Sequence, residues 1–236
     1  MESGLIDVHS HLLPGIDDGC KDVIESLACA KKLVNAGYTH SFCTPHIWPS
    51  LPRNTRREIS TLVAALQKEM DEAGIDLKLI PGGELNMGPH LLNVDLAGEP
   101  TFGMKDKYVL IDLWCDRLPG YFDEIIRGFQ QLDRTVILAH PERMRAVQDE
   151  PELADQFAEM GILLQGNLQC LGDPLRTSTR RTGQKFLEEN KYFMLGMDLH
   201  NLASLPQRLE GLRVAREVVG SEKVDELTQV NPRKLM

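Results

Sequence analysis

The chain is short of the features that mark several large protein classes. Its five cysteines, at positions 20, 29, 43, 115 and 170, are odd in number and irregularly spaced, with no Cys-x-x-Cys pair. That excludes a disulfide framework and a thiolate zinc site, and predicts reduced, mostly buried thiols. Positive charge is in deficit: 26 Lys and Arg against 35 Asp and Glu leave a net charge of −9, with a pI near 5.3. Nucleic-acid binders display a basic face, so nucleic acid is not the expected partner. No run approaches the roughly 18 apolar residues of a membrane span. Met1-Glu2-Ser3-Gly4 carries no basic stretch followed by an apolar core, so a cytoplasmic, non-spanning protein is expected. No internal repeat or low-complexity segment is visible. The 236 residues, 42% hydrophobic, suffice for one sizeable core, and residues 1–236 are read as a single domain.

What the sequence does have is a recurring unit of strand, turn and helix. Strands are expected at residues 5–8, 38–43, 77–80, 108–111, 135–139, 162–165 and 192–195. Asp22 and Glu25 form a capping-box variant opening the first helix, which Gly37 stops. A second helix buries Ile59, Leu62, Val63, Leu66, Met70 and Ala73 and closes at Gly74. Further helices are expected at 121–132, 152–160, 180–187, 205–219 and 221–230. Residues 85–102 contain Gly88, Pro89, Gly98 and Pro100 and show no clear period. They read as a long excursion forming one wall of a substrate mouth. Seven strand-then-helix units argue for parallel pairing in a barrel-like or open α/β fold.

The placement of polar residues points to chemistry. The stretch Asp7-Val-His9-Ser-His11 follows the first apolar run, and period-two alternation puts His9 and His11 on one side, where two imidazoles can grip one metal ion. Asp17 and Asp18 follow; neighbours rarely point the same way, so Asp18 is read as a ligand and Asp17 as a turn or supporting group. His46 after Thr44-Pro45, Glu84 after Pro81-Gly82-Gly83, Asp112, His140, and Asp198 with His200 each close a strand at the face where such folds place catalysis. Only the sixth strand lacks an obvious ligand. Any one of these is an ordinary turn or capping residue; together they exceed one tetrahedral zinc site and suit two or three carboxylate-bridged cations. Arg143, three residues past His140, makes sense beside cations if an anion lies between them. Arg208 is a second candidate clamp. His40, inside a strand, reads as a core or supporting group; His90, in the excursion, is either solvated or borders the substrate.

The set Asp-Val-His-Ser-His…Gly-Ile-Asp-Asp-Gly, Thr-Pro-His, Gly-Gly-Glu, His-Pro-Glu-Arg and Asp-Leu-His resembles the metal-dependent protein-tyrosine phosphatases of the PHP superfamily, bacterial enzymes of capsular and exopolysaccharide synthesis. The resemblance runs from residue 5 to about 208. It implies a distorted seven-stranded (β/α)7 barrel with a trinuclear site, usually manganese, and Fe, Zn or Mg as other fitting ions. It places ligands on His9, His11, Asp18, His46, Glu84, Asp112, His140, Asp198 and His200, with Arg143 and Arg208 holding phosphate. It also implies a phosphotyrosine protein substrate, the tyrosine-rich tail of a membrane-bound bacterial kinase. Two positions depart from the family pattern: Asp112 stands where Glu is usual, and Met197 where Ser is usual.

The expected reaction is hydrolysis of a phosphomonoester by a metal-bridging hydroxide, with Arg143 fixing the ester and His46 available to assist. The phenol of tyrosine, with a pKa of about 10, leaves with little protonation. A thiol mechanism on Cys170-x5-Arg176 is discounted, because Asp173 adds negative charge to that loop and Pro174 removes a donor. The alternatives on the same barrel are a histidinol-phosphatase-like small-molecule phosphoesterase and an amidohydrolase. The latter lacks its inward lysine here. A non-catalytic metal-binding regulator of polysaccharide export is the reading of another class. The basic loop 53–57 either meets an acidic phosphorylated tail or is a solvated helix start.

Overall fold

Asp22 accepts from the Glu25 N–H at 2.9 Å while Glu25 reaches back to the Lys21 N–H at 3.2 Å, so the first helix begins where the sequence signals it. In the computed structural model, which describes residues 4–174 and 177–236, nine strand segments and nine α-helical segments alternate. In chain order these are β1 (Leu5–Ser10), α1 (Val23–Asn35), β2 (Tyr38–Cys43), β3 (His46–Ile47), α2 (Arg56–Glu72), β4 (Lys78–Pro81), β5 (Glu84–Asn86), β6 (Tyr108–Asp112), α3 (Phe122–Gln130), β7 (Thr135–Ala139), α4 (Arg145–Asp149), α5 (Leu153–Glu159), β8 (Leu163–Asn167), α6 (Leu168–Gly172), α7 (Ser178–Glu188), β9 (Met194–Gly196), α8 (Leu205–Val219) and α9 (Ser221–Asp225). A π-helical turn, Glu226–Val230, and a 3-10 turn, Pro232–Leu235, follow.

All strand pairs are parallel, in a three-stranded sheet β1-β2-β4 and a six-stranded sheet β3-β5-β6-β7-β8-β9. The pairing thus differs from one run of seven strands. Pro45 has no N–H to give the ladder, so β2 stops at Cys43 and pairing resumes at His46. The chain bends likewise at Gly82-Gly83. There the Gly82 N–H donates to Cys43 O at 2.9 Å and the Glu84 N–H to Pro45 O at 3.0 Å, joining the two sheets. At the other edge the His11 N–H donates to Leu199 O at 2.9 Å and the Asp198 N–H to His9 O at 2.7 Å. The excursion after β5 carries three 3-10 turns, Pro89–Asn93, Leu96–Gly98 and Phe102–Met104.

Strand residues divide between two apolar clusters with period two. Ile6, Val8, Leu110, Ile137, Ala139 and Met194 pack with Phe42, Phe102 and Leu235 in the smaller. Leu5, Val109, Ile111, Val136, Leu138 and Leu195 join the helices in the larger. Strands buried on both faces are what continuous apolar runs such as 108–111 and 135–139 require. The four buried thiols and the half-buried Cys115 are all free.

Candidate metal centre

The C-terminal ends of β1, β6, β7 and β9 and the short segments β3 and β5 bring the expected residues together. His11 Nε2 lies 3.4 Å from His9 Nε2. Both face Glu84 Oε2, at 3.5 and 3.3 Å, and Asp198 Oδ1, at 3.3 and 3.5 Å. His46 places Nδ1 2.8 Å from Glu84 Oε2 and Nε2 3.3 Å from Asp18 Oδ1. His200 Nε2 is 3.4 Å from Asp18 Oδ1, and His140 Nε2 is 3.0 Å from Glu84 Oε1. Three overlapping groups have ligand atoms within 4.8 Å of one another: His11, Asp18, His46 and His200; His9, His11 and Glu84; Glu84, Asp112 and His140. Glu84 and His11 are shared between groups; Glu84, with two oxygens, can bridge adjacent cations, whereas His11 has only Nε2 to offer.

These atoms fit cations better than they fit one another. Glu84 Oε2, Asp112 Oδ1 and His46 Nδ1 are buried without a hydrogen bond, the 2.8 Å approach of His46 to Glu84 being out of line for one. Buried acceptors without donors are costly, and a divalent ion relieves several at once. Electrostatics agree. Burial opposes charge on Glu84 and Asp198, but His9 and its neighbouring imidazoles outweigh it and hold both carboxyls well below the usual range. In turn Glu84 and Asp198 overcome the burial of His9 and hold it up at about 9. Burial, reinforced by Glu84, pushes Asp112 up to about 6. Burial and His11 lower His200, leaving it neutral and able to ligate. Binding a cation here releases protons.

Several ligand candidates have one atom turned inward and the other anchored. His9 Nδ1 donates to Gln165 Oε1 and His11 Nδ1 to Asp17 Oδ2, both at 2.8 Å. Asp17 also accepts from the backbone N–H groups of Gly19 and His46, which gives it the supporting role expected from its place beside Asp18. Asp198 Oδ2 accepts from Asn167 Nδ2 at 2.8 Å and Arg143 Nη1 at 2.7 Å. Asp112 Oδ2 accepts from the Trp114 indole at 2.8 Å. His140 (φ 34°, ψ 55°) and Asp198 (φ 51°) adopt left-handed backbone, a strain that non-glycine residues keep where a side chain must be aimed. Glycine at 83 is required by crowding, since a Cβ there would lie 2.8 Å from Pro100.

Sequence reasoning placed a strand at 162–165 but missed what its end, in β8, contributes to the site. Its Gln165 and Asn167, fully buried, orient His9 and Asp198. The signal was a polar Gln-Gly-Asn run closing an apolar strand. It also missed Asp7, which accepts from the Met197 N–H at 2.9 Å and which burial pushes up to about 6.

Three residues sit differently from what their place in the sequence suggests. Arg208 is 2% exposed, and its donors face the chain: its Nε and Nη2 donate to the carbonyls of Met197 and Asp198, Nη1 to Ser204 O, and Nη2 also to Gln169. Helix α8 turns it beneath the Asp198 loop, where its charge is spent on backbone. His46 has both nitrogens facing carboxylates, which suits a ligand. His46 and Glu84 also open β3 and β5 instead of closing strands. Arg143 pairs with Asp198, not with Glu142 or Asp149, and is partly exposed. His40 Nδ1 bonds Thr39 within β2. His90 borders a cavity of about 240 Å³ with Trp48 and Pro100. Cys170 is buried, and burial with Glu142 pushes its thiol well up; Arg176 lies outside the described residues. Within the basic loop, Arg56 is tied to Asp106 and Met104 O.

Residues 5–236 match the family described as capsular polysaccharide synthesis, CpsB/CapC. The chain is 27% identical over 227 residues to the tyrosine-protein phosphatase YwqE of Bacillus subtilis, covering 95% of this chain and 89% of that one. It is 25% identical over 239 residues to the tyrosine-protein phosphatase CpsB of Streptococcus agalactiae, covering 98% of each. Its structure superposes with a TM-score of 0.87 and 25% identity on one from the crystal structures of YwqE of Bacillus subtilis and CpsB of Streptococcus pneumoniae, described as unique metal-dependent tyrosine phosphatases. That match covers 98% of this chain and 94% of the other.

Proposed function

We propose, since this chain belongs to the CpsB/CapC family of capsular polysaccharide synthesis, that it is a metal-dependent protein-tyrosine phosphatase. One observation carries the reading: side chains from six different strand ends, with Arg143 at their edge, converge in overlapping groups whose ligand atoms lie within 4.8 Å of one another. Two or three ions, manganese in our reading, with Fe, Zn or Mg suiting the same oxygen and imidazole donors, would be held by His9, His11, Asp18, His46, Glu84, Asp112, His140, Asp198 and His200. Bound there, divalent cations supply a Lewis acid for the phosphoryl oxygens and a lowered pKa for water.

The chain's own groups do the rest. Arg143, anchored on Asp198 and partly open to solvent, takes a non-bridging phosphoryl oxygen. Gln165 and Asp17 keep the Nε2 lone pairs of His9 and His11 pointing inward. The cluster is buried at His9, Glu84, Asp112 and Asp198 and opens to solvent near Asp18, His200, Arg143 and Trp114. We further read the two sheets, bridged at Gly82 and at Leu199, as one distorted seven-stranded barrel forming a single domain. No helix among the described residues is long and apolar enough to cross a membrane. A cytoplasmic enzyme acting on the phosphotyrosine tail of a membrane-bound kinase is consistent with that.

Metal analysis of the purified protein, paired with hydrolysis of a phosphotyrosyl peptide before and after chelation, tests the reading. We expect bound divalent metal and activity that chelation abolishes and added manganese restores. Turnover no higher than that of an Asp198→Ala variant would refute it.

A further inference from the structure

Trp114 stands two residues beyond β6 at the edge of the cluster, and 58% of it is exposed. Its indole N–H donates to Asp112 Oδ2 at 2.8 Å, leaving Asp112 Oδ1 as the free acceptor. The Arg143 guanidinium lies over its ring, 4.8 Å from the centroid. The His140 ring is 6.2 Å away at 49°. An indole pinned at its N–H by a buried carboxylate and capped by a cation on its face has little freedom left to lose on binding. Yet most of its apolar surface still meets water. Among the exposed large apolar side chains of the described residues, Trp114 is the one with an aromatic or hydrogen-bonded contact to both Arg143 and a carboxylate of the site.

From this geometry we propose, resting on the phosphatase reading above, that Trp114 is the specificity-determining residue that selects aryl over alkyl phosphate monoesters. Arg143 bridges Asp198 and the indole, so a phosphoryl group held by its guanidinium carries its ester substituent alongside the Trp114 ring. A phenyl substituent covers that ring and gains an aromatic contact. The single methylene of a phosphoserine does not reach it. An offset or edge-to-face aromatic pair favours the aryl ester by roughly two- to tenfold, before any area it removes from water is counted.

The test compares wild type, Trp114→Ala and Trp114→Phe, all metal-loaded, on matched phosphotyrosyl and phosphoseryl peptides, with phenylphosphonate and methylphosphonate as competitive inhibitors. We expect Trp114→Ala to lower the aryl-to-alkyl ratio of kcat/KM, and the corresponding ratio of inhibition constants, roughly fivefold. Any loss common to both classes reports the support that the indole gives Arg143 and Asp112. Trp114→Phe, which keeps a ring, should hold both ratios within about twofold of wild type. Ratios unchanged in Trp114→Ala overturn the proposal. A binding readout separates it from the phosphatase reading. The chain has two tryptophans, so in a Trp48→Phe variant the indole emission belongs to Trp114. Phenylphosphonate should change that emission at concentrations where methylphosphonate does not. If wild type hydrolyses neither peptide the phosphatase reading falls, and this fluorescence difference decides the aryl preference by itself.

Discussion

Gln165→Leu isolates what a residue that touches no metal contributes to the centre. Gln165 is fully buried, and its Oε1 accepts the His9 Nδ1–H at 2.8 Å. A cation on His9 takes the Nε2 lone pair, so in the loaded protein the ring's hydrogen must sit on Nδ1. Facing leucine, that N–H is orphaned, at a cost of about 1–3 kcal/mol, or roughly 5- to 150-fold in affinity. The metal-free protein has an escape: the ring drops its Nδ1 hydrogen and keeps the one on Nε2, 3.3 Å from Glu84 Oε2. Because Glu84 and Asp198 hold His9 at about 9, the escape sheds a proton, and it is inexpensive only near that pH. The comparison therefore belongs at pH ~8.5, by competition of the protein with a metal-binding dye. We expect metal affinity to fall roughly 10- to 100-fold, the range typical of such outer partners. The variant also loses the Gln165 donor to Gly166 O, a loss common to both states that lowers the metal-free Tm by roughly 2–10 °C. An affinity within about twofold of wild type, with that drop in Tm present, would refute the argument.

Arg143 and Arg208 should fail differently. Arg143→Ala is expected to lower kcat/KM about a hundredfold or more while metal content stays near wild type. Arg208→Met should cost about 3 kcal/mol by orphaning the carbonyls it serves and lower metal content, both read from melting curves and metal analysis. Gly211→Ala places a Cβ 1.8 Å from Leu168 O, between α6 and α8, so a loss of about 3 kcal/mol by chemical denaturation is expected from overpacking. Cys170→Ser should retain activity on an aryl phosphate within about twofold, as expected of a buried, protonated thiol. Near-total loss would overturn the metal scheme.

The legible parts of this chain are those where one physical signal acts alone. β2, β7 and α8 fall at the expected residues 38–43, 135–139 and 205–219, because continuous or periodic apolar runs there end at Gly, Pro or polar turns. β3 and β5, of two and three residues, are too short to display a period. Their strand geometry comes from neighbours across the Pro45 and Gly82-Gly83 breaks. The five-residue helices α4 and α6 escaped for the same reason. Among site residues, His9, Glu84, His140 and Asp198 announce themselves by sitting at chain punctuation. Gln165 and Asn167 do not: their meaning depends on β8 lying between β7 and β9, a fact of pairing. Where Arg208 points was not legible, because the direction of a helical side chain depends on how the helix is rotated against its neighbours, which contact with α6 decides.

That division says where the precision of the centre originates. His9, His11, Asp112, Asp198 and His200 each spend one polar atom on an anchor from elsewhere in the chain or backbone, which leaves the other atom a single direction. Glu84 is different: both its oxygens face imidazoles, and what holds it is backbone, its N–H on Pro45 O and its pairing with His46 and Leu110. The middle of the cluster is thus fixed by the sheet and its edge by side-chain hydrogen bonds. A sheet keeps its register when one hydrogen bond is lost, whereas an anchored side chain turns. Drift between relatives at the edge should therefore tune substrate and metal preference without unmaking the fold, and Trp114 and Asp112 stand at that edge.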